Sequence, residues 1–166
     1  MKCRSTDRMP TMETLDSLDA RIMLALDEDP EATTLALART LGVARNTVHA
    51  RLARITRAGL LKAPSRRLDP MALGHDLVAF VEMSISQGSA DVAIADLIAI
   101  PEIVEIHSTT GDADLLAKVL ARDTADLYRI TNAILGTRGV LRTSTAISLY
   151  EVLPLRMTKL LEQVAE

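Results

Sequence analysis

The stretch RTLGVARNTVHARLARITRAGLLKAPSRRL, from Arg39 to Leu68, decides how this chain is read. It holds eight cationic side chains (Arg39, Arg45, Arg51, Arg54, Arg57, Lys62, Arg66 and Arg67) and no Asp or Glu. Leu37, Ala38 and Leu41 form the inner face of one helix, with Thr33 or Thr34 able to cap its start and Gly42 closing it. Only Gly42, Val43 and Ala44 separate it from a second apolar pattern, Val48, Leu52 and Ile55, at spacings of four and three. Two helices joined by so short a turn make a helix-turn-helix. The second helix, Arg45 to Ala58, presents residue types that read base edges. Arg pairs bidentately with guanine, Asn with adenine, and Thr meets a base edge or the thymine methyl. Arg45, Asn46, Thr47 and His49 are therefore the expected readers. Arg51, Arg54, Arg57, Lys62, Arg66 and Arg67 are the expected phosphate anchors, which position a protein without reading sequence.

Working outward, Leu60-Leu61-Lys62 and Arg66-Arg67-Leu68 flank Ala63-Pro64-Ser65, a pattern that suggests a small β-hairpin, or wing. Upstream, Leu15, Leu18, Ile22 and Leu26 recur at helical spacing, with Asp16 and Asp19 near the helix start, where negative charge suits the helix dipole. Pro30 stops that pattern. A winged helix-turn-helix domain over residues 12–68 follows, with a linker at 69–76 marked by Asp69-Pro70 and Gly74.

Beyond the linker the character changes. Residues 1–76 hold twelve basic and ten acidic groups; residues 77–166 hold seven and twelve. A mildly basic half joined to an acidic half suggests two tasks. His75–Ser86 reads as a strand with Leu77, Ala79, Val81, Met83 and Ile85 on one side, and Ser89–Ile100 as a helix facing inward through Val92, Ala95, Leu97 and Ile98. Glu102–Thr110 and Ala113–Ala121 read as strands joined by a hairpin turn at Gly111-Asp112. A helix opening at Thr124 or Asp126 uses Leu127, Ile130, Ala133 and Ile134, and a long strand covers Val140–Leu153. Met157–Val164 reads as a terminal helix within 154–166. The overall class is α+β, and the order β-α-β-β-α-β over 77–153 is the ferredoxin-like plan, one antiparallel sheet with both helices on one face. The other face carries many apolar residues, and pairing with a second copy would bury it.

Aromatics make up 2% of the chain, so Leu, Ile, Val, Met and Ala must build the cores; Met71, Met83 and Met157 are expected as packing residues. No apolar run approaches the roughly 20 residues that span a bilayer, and the polar start MKCRSTDRMP lacks a signal-peptide core. The reading is a cytoplasmic, soluble protein. Cys3 is the single cysteine, and His49, His75 and His107 lie far apart, so neither a metal site nor any other cofactor is expected. No Ser/His/Asp arrangement or phosphate-cradling glycine motif points to catalysis, and no catalytic residue is assigned.

The chain resembles the Lrp/AsnC (leucine-responsive, feast/famine) family of transcriptional regulators. The resemblance rests on LDSLDARIMLAL, LARTLGVARNTVHARLARITRAGLL, RLDPMALGH, HSTTGDADLLAKV and GVLRTSTAISLYEV, in that order. It implies a winged helix-turn-helix followed by an effector-binding domain, homodimers that assemble further into tetramers or octamers, and double-stranded DNA as target. It also implies a small effector, usually an amino acid, bound between dimers. Carried onto this chain, the effector region is Thr110, Gly111, Asp112, Ala113 and Asp114 with Thr143, Thr145 and Ala146. A carboxylate at Asp112 or Asp114 suits an α-ammonium group, and Thr hydroxyls and backbone N–H groups suit an α-carboxylate.

Three departures stand out. Ala44 replaces the Ser that commonly caps the recognition helix in that family, at a cost of about 1 kcal/mol. Thr56 stands where an acid is common, and Ala146 where relatives have a larger side chain. Two other readings share the architecture. A tetrapyrrole decarboxylase-like enzyme would gather His107, Lys118, Arg122, Arg129, Arg138 and Arg142 around carboxylates. An architectural protein would bind DNA through phosphates with little sequence preference. The intact basic recognition helix favours the regulator.

Overall fold

In the computed structural model, which describes residues 13–166, the chain divides into two units. One comprises the described residues up to Arg66 together with Pro154–Glu166; the other is Arg67–Leu153. Cys3 and the proposed domain start at residue 12 lie outside the described residues.

The first unit opens with α1 (Ser17–Glu28). Asp16 is its N-cap and forms a reciprocal capping box with Asp19, each carboxylate accepting from the other's backbone N–H at 3.0 Å. Thr33 caps α2 (Thr34–Leu41), and Gly42 closes it at φ 69°. Ala44 precedes α3 (Arg45–Arg57) without a side-chain cap, as its methyl dictates. Ile22, Leu37, Ala38 and Val48 form the buried core of these three helices, with Leu18, Leu26, Leu41 and Leu52 around it.

The expected wing is absent. Pro64–Arg67 forms a 3₁₀ turn instead, with Arg66 N–H donating to the Ala63 carbonyl. Pro64 has no N–H to give a ladder, and three residues on either side of the turn offer too few bonds to hold an isolated hairpin. A second 3₁₀ turn, Pro70–Leu73, is capped by Asp69 and closed by Gly74. Met71 is exposed there, not packed, and so is Met157.

The terminal helix α6 (Thr158–Ala165) belongs to the first unit, a relation the sequence reading did not contain. It packs on α1, and the Ser17 hydroxyl donates to the Ala165 carbonyl at 2.9 Å. Thr158, Leu161 and Ala165, at spacings of three and four, are its more buried positions, while Leu160 and Val164 are exposed.

The second unit is an antiparallel four-stranded sheet of β1 (Leu77–Ile85), β2 (Ile103–Ser108), β3 (Leu115–Ala121) and β4 (Val140–Ile147), in the order β2-β3-β1-β4. Ala79, Val81 and Met83 of β1 pair with Val119, Ala117 and Leu115 of β3, on the face covered by α4 (Ala90–Ile98) and α5 (Thr124–Leu135). Leu97, Leu127, Ile130 and Ile134 close the core from the helix side. This is the ferredoxin-like arrangement.

Three details depart from the sequence reading. In α4 the inward positions are Ala93 and Leu97, with Ile94 partly buried, while Val92, Ala95 and Ile98 are exposed. Almost every residue of that helix is apolar or alanine, so periodicity alone did not fix its phase. In α5, Ala133 is exposed, and the cap is Asp123, which accepts from Asp126 N–H at 2.7 Å. β4 ends at Ile147 and not at Leu153. Ile147 lies opposite Ala79 and Ser148 donates to Val78, so β1 runs out and leaves nothing for a longer β4 to pair with.

Gly139 opens β4 at φ +95°, and a Cβ there would stand 2.7 Å from the Ser89 Cβ and 3.4 Å from the Ala93 Cβ. Both the left-handed backbone and the approach of α4 require glycine. Gly139→Ala is expected to destabilise the second unit by about 1–3 kcal/mol from the backbone alone, with further loss from the contact. Urea unfolding measures it; a midpoint equal to wild type would show that α4 does not approach so closely.

Candidate nucleic-acid interface and effector region

The acid-free stretch separates into two groups once folded. Arg45, Asn46, His49 and Arg57 of α3 are exposed, Thr47 is half-buried, and Lys62, Arg66 and Arg67 are exposed in the segment that follows. No ion pair among the described residues engages any of these cations. The N-terminal part of α3 thus presents a guanidinium, a carboxamide, an imidazole and a hydroxyl on one short length of helix.

Arg51 and Arg54, also expected as phosphate anchors, differ from these in being engaged by carboxylates. Both guanidinium groups turn back to α1. Arg51 pairs with Asp16 and with Asp19 (3.3 Å), and Arg54 pairs with Asp19 and with Glu13 (3.1 Å). The Asp19 side chain is fully buried, so these partners compensate a charge that burial alone would make costly. The Asp19 backbone N–H and the Arg51 guanidinium hold the Asp16 carboxyl below its usual range. Asp16 and Asp19 lie one helical turn apart at the start of one helix and Arg51 and Arg54 one turn apart on another, spacings visible in the sequence, but only the fold brings the two pairs together.

In the second unit the β2–β3 hairpin is locked by its own backbone. Thr109 N–H donates to the Asp114 carbonyl (3.0 Å), Thr109 Oγ1 to the Ala113 carbonyl (2.8 Å), and Asp114 N–H to the Met83 carbonyl (2.9 Å). The Asp114 carboxylate accepts from Ile85 N–H at 2.7 Å, where the pairing of β1 with β4 slips register. Asp114 and Asp112 are both exposed, but Asp114 also braces the strand end through this bond.

A cleft of about 410 Å³ opens beside this turn, between the end of β1, the start of α4 and the hairpin. Ile85, Ser86, Gln87, Ile94, Ser108 and Asp114 line it. Of the expected effector residues only Asp114 lines it. Thr143 lies opposite Met83 and Thr145 opposite Val81, on the helix-side face of β4, while Ala146 lies opposite Phe80 on the other face. β1 lies between β4 and the hairpin, so roughly 10 Å of sheet separates these threonines from the turn. Ser86, Gln87 and Ser108 were missed because nothing marks a polar residue at a strand end until its neighbours are known.

The basic residues of the decarboxylase reading do not converge. Arg122 and Arg129 are held by Asp126, and Arg129 also by Glu102. The Arg122 guanidinium holds the Asp126 carboxyl far below the usual carboxylate range, helped by Arg122 N–H and Arg129. His107 stands 3.4 Å from Glu105, and Lys118 and Arg142 lie on the sheet face away from the helices. The described residues include no cluster of three or more potential metal ligands. No helix among them is long and apolar enough to cross a membrane.

Comparison with known proteins identifies both units. Residues 15–55 match the AsnC-type helix-turn-helix domain, and residues 78–157 match the Lrp/AsnC ligand binding domain. The HTH-type transcriptional regulator FL11 of Pyrococcus horikoshii is 31% identical over 135 residues, covering 81% of this chain and 89% of the relative. The structure of E. coli AsnC superposes with a TM-score of 0.80 at 26% identity, over 88% of this chain and 99% of that one. The feast or famine regulatory protein from M. tuberculosis, complexed with L-methionine, gives 0.75 at 30% identity, over 86% and 97%. FL11 is a transcriptional regulator, and the M. tuberculosis protein a regulatory one. The chain belongs to the Lrp/AsnC family of helix-turn-helix transcriptional regulators.

Proposed function

We propose that α3 reads a specific duplex through Arg45, Asn46, Thr47 and His49, with Arg57, Lys62, Arg66 and Arg67 on phosphates. The observation that carries this reading is the contrast within α3: its N-terminal polar groups are exposed and free of ion pairs among the described residues, while Arg51 and Arg54 are not. A homodimer in the cytoplasm presents two such helices to major grooves about 10 bp apart, or a multiple of that. The open sheet face supplies the dimer contact, since Phe80, Val78, Leu116 and Ala146 lie together on it. Larger assemblies built from such dimers follow the same logic.

A small effector, an amino acid, occupies the cleft beside the 110–114 turn. Asp112 offers an exposed carboxylate for an α-ammonium group from the tip of the turn, outside the cleft lining, and Ser86, Gln87 and Ser108 offer polar contacts near Ile85 and Ile94, which suit an apolar side chain. The M. tuberculosis relative complexed with L-methionine supports that ligand class. Thr143 and Thr145 act from the helix-side face of β4, outside the cleft lining, where a neighbouring dimer completes the site; Ala146, on the other face, bears on it through the dimer contact.

A thermal-shift series with the twenty amino acids tests this. A true effector at a hundredfold its Kd raises stability by about 2.7 kcal/mol, and Asp112→Ala abolishes that shift while leaving the unliganded midpoint in place. An undiminished shift in Asp112→Ala would place the effector elsewhere.

A further inference from the structure

The DNA-reading assignment leaves one cluster unexplained: three carboxylates on and before α1 gathered around two arginines of the recognition helix. Asp19 is wholly buried and accepts from Arg51 at 3.3 Å and from Arg54. Asp16 takes a second bond from Arg51, and Glu13 takes one from Arg54 at 3.1 Å. Each arginine side chain keeps 31% of its surface exposed, so neither is sealed away from solvent. They are restrained by charge, not by burial.

We infer that Asp19, supported by Asp16 and Glu13, is a positioning residue that withholds Arg51 and Arg54 from DNA and sets the rotation of α3 against α1. The inference rests on the DNA-reading assignment above.

Two physical consequences follow. First, three carboxylates facing two guanidinium groups leave this patch with no surplus positive charge for phosphates. A duplex meets Arg45, Arg57, Lys62, Arg66 and Arg67, and not the full basic stripe. Non-specific binding scales with the phosphates neutralised, so restraining two arginines lowers it without touching the reading groups. Second, Arg51 and Arg54 lie about one helical turn apart, roughly 4.5 Å along the axis. Two anchors converging on one carboxylate resist rolling of α3 about its own axis. A roll would carry Asn46 and His49 out of line with the base edges, where bidentate geometry tolerates little error.

Asp19→Asn removes the charge while keeping the shape. The full-length variant is compared with wild type by anisotropy across a salt series. The probes are a duplex of about three helical turns, selected from a random pool with the wild-type protein, and a scrambled duplex of equal composition. The expected result is tighter binding to the scrambled duplex and a steeper salt dependence, the slope of log K against log salt growing by up to about 2. The ratio of selected to scrambled affinity falls about tenfold, one bidentate contact's share of discrimination. A merely structural role lowers both affinities in parallel with an unchanged or shallower slope, and that outcome overturns the inference.

Asp16→Asn with Glu13→Gln serves should Asp19→Asn not fold, because Asn remains a good N-cap. It should steepen the slope by about 1; no change overturns the proposal. Adding Arg51→Gln and Arg54→Gln to Asp19→Asn should return the slope to wild type, and a slope that stays steep also overturns it. Absence of any duplex binding by wild type overturns the DNA-reading assignment and this inference together. Wild-type binding with an unchanged slope in the variants overturns this inference alone.

Discussion

Replacing Arg45 and Asn46 together by alanine is expected to lower affinity for the preferred duplex by about 2–6 kcal/mol, from two bidentate contacts of about 1–3 kcal/mol each. Affinity for a scrambled duplex should fall far less, since only the Arg45 charge is lost to the phosphate-driven component. Both side chains are exposed at the first turn of α3, and no described hydrogen bond or ion pair depends on either. The thermal midpoint should therefore stay within the range usual for surface substitutions. Anisotropy on the two duplexes measures the difference. An equal loss on both would assign Arg45 and Asn46 to phosphates and move the reading groups elsewhere on the helix.

Ile130→Ala carries the second large effect, on the other unit. Ile130 of α5 is fully buried in the core cluster that also holds Val81, Ala117 and Val119 of the sheet. Truncation removes buried methyl groups and leaves a cavity that the surrounding strands cannot fill, at about 2–5 kcal/mol. In a unit of this size each 1 kcal/mol moves Tm by about 4–8 °C, so the change should be plain in calorimetry. Ile98→Ala is the companion measurement. Ile98 is 68% exposed on α4, and its truncation should cost under about 0.5 kcal/mol. A comparable loss at Ile98 would mean that α4 buries Ile98, as the sequence reading expected.

The helix-turn-helix was legible because its signals are local: Thr33 as cap, Gly42 as stop, and Val48, Leu52 and Ile55 at helical spacing. The ferredoxin-like order was legible because the strands alternate and the turns carry Gly or Pro. What stayed hidden depends on contacts distant in sequence. Arg51 and Arg54 looked like any other cations of the stripe until Asp19, more than thirty residues away, was found beneath them. The bond from Ile85 N–H to Asp114 joins residues far apart in the sequence and shows only in the fold. The end of β4 was set by where β1 begins, and a strand's own residues do not encode its neighbour's length. The wing was read from a basic, proline-centred turn whose flanks are too short to pair.

The return of α6 to α1 makes the DNA-binding unit discontinuous along the chain. Its last helix leaves the ribosome only after the whole of Arg67–Leu153 has been synthesised, roughly 5–20 s later at usual elongation rates. A nascent chain therefore carries its sensor before its reading head is complete. The same topology makes the chain pass between head and sensor twice, once near Arg66 and once near Pro154. A fragment ending at Leu68, the obvious boundary from sequence, would leave the surface of α1 that α6 covers open to water.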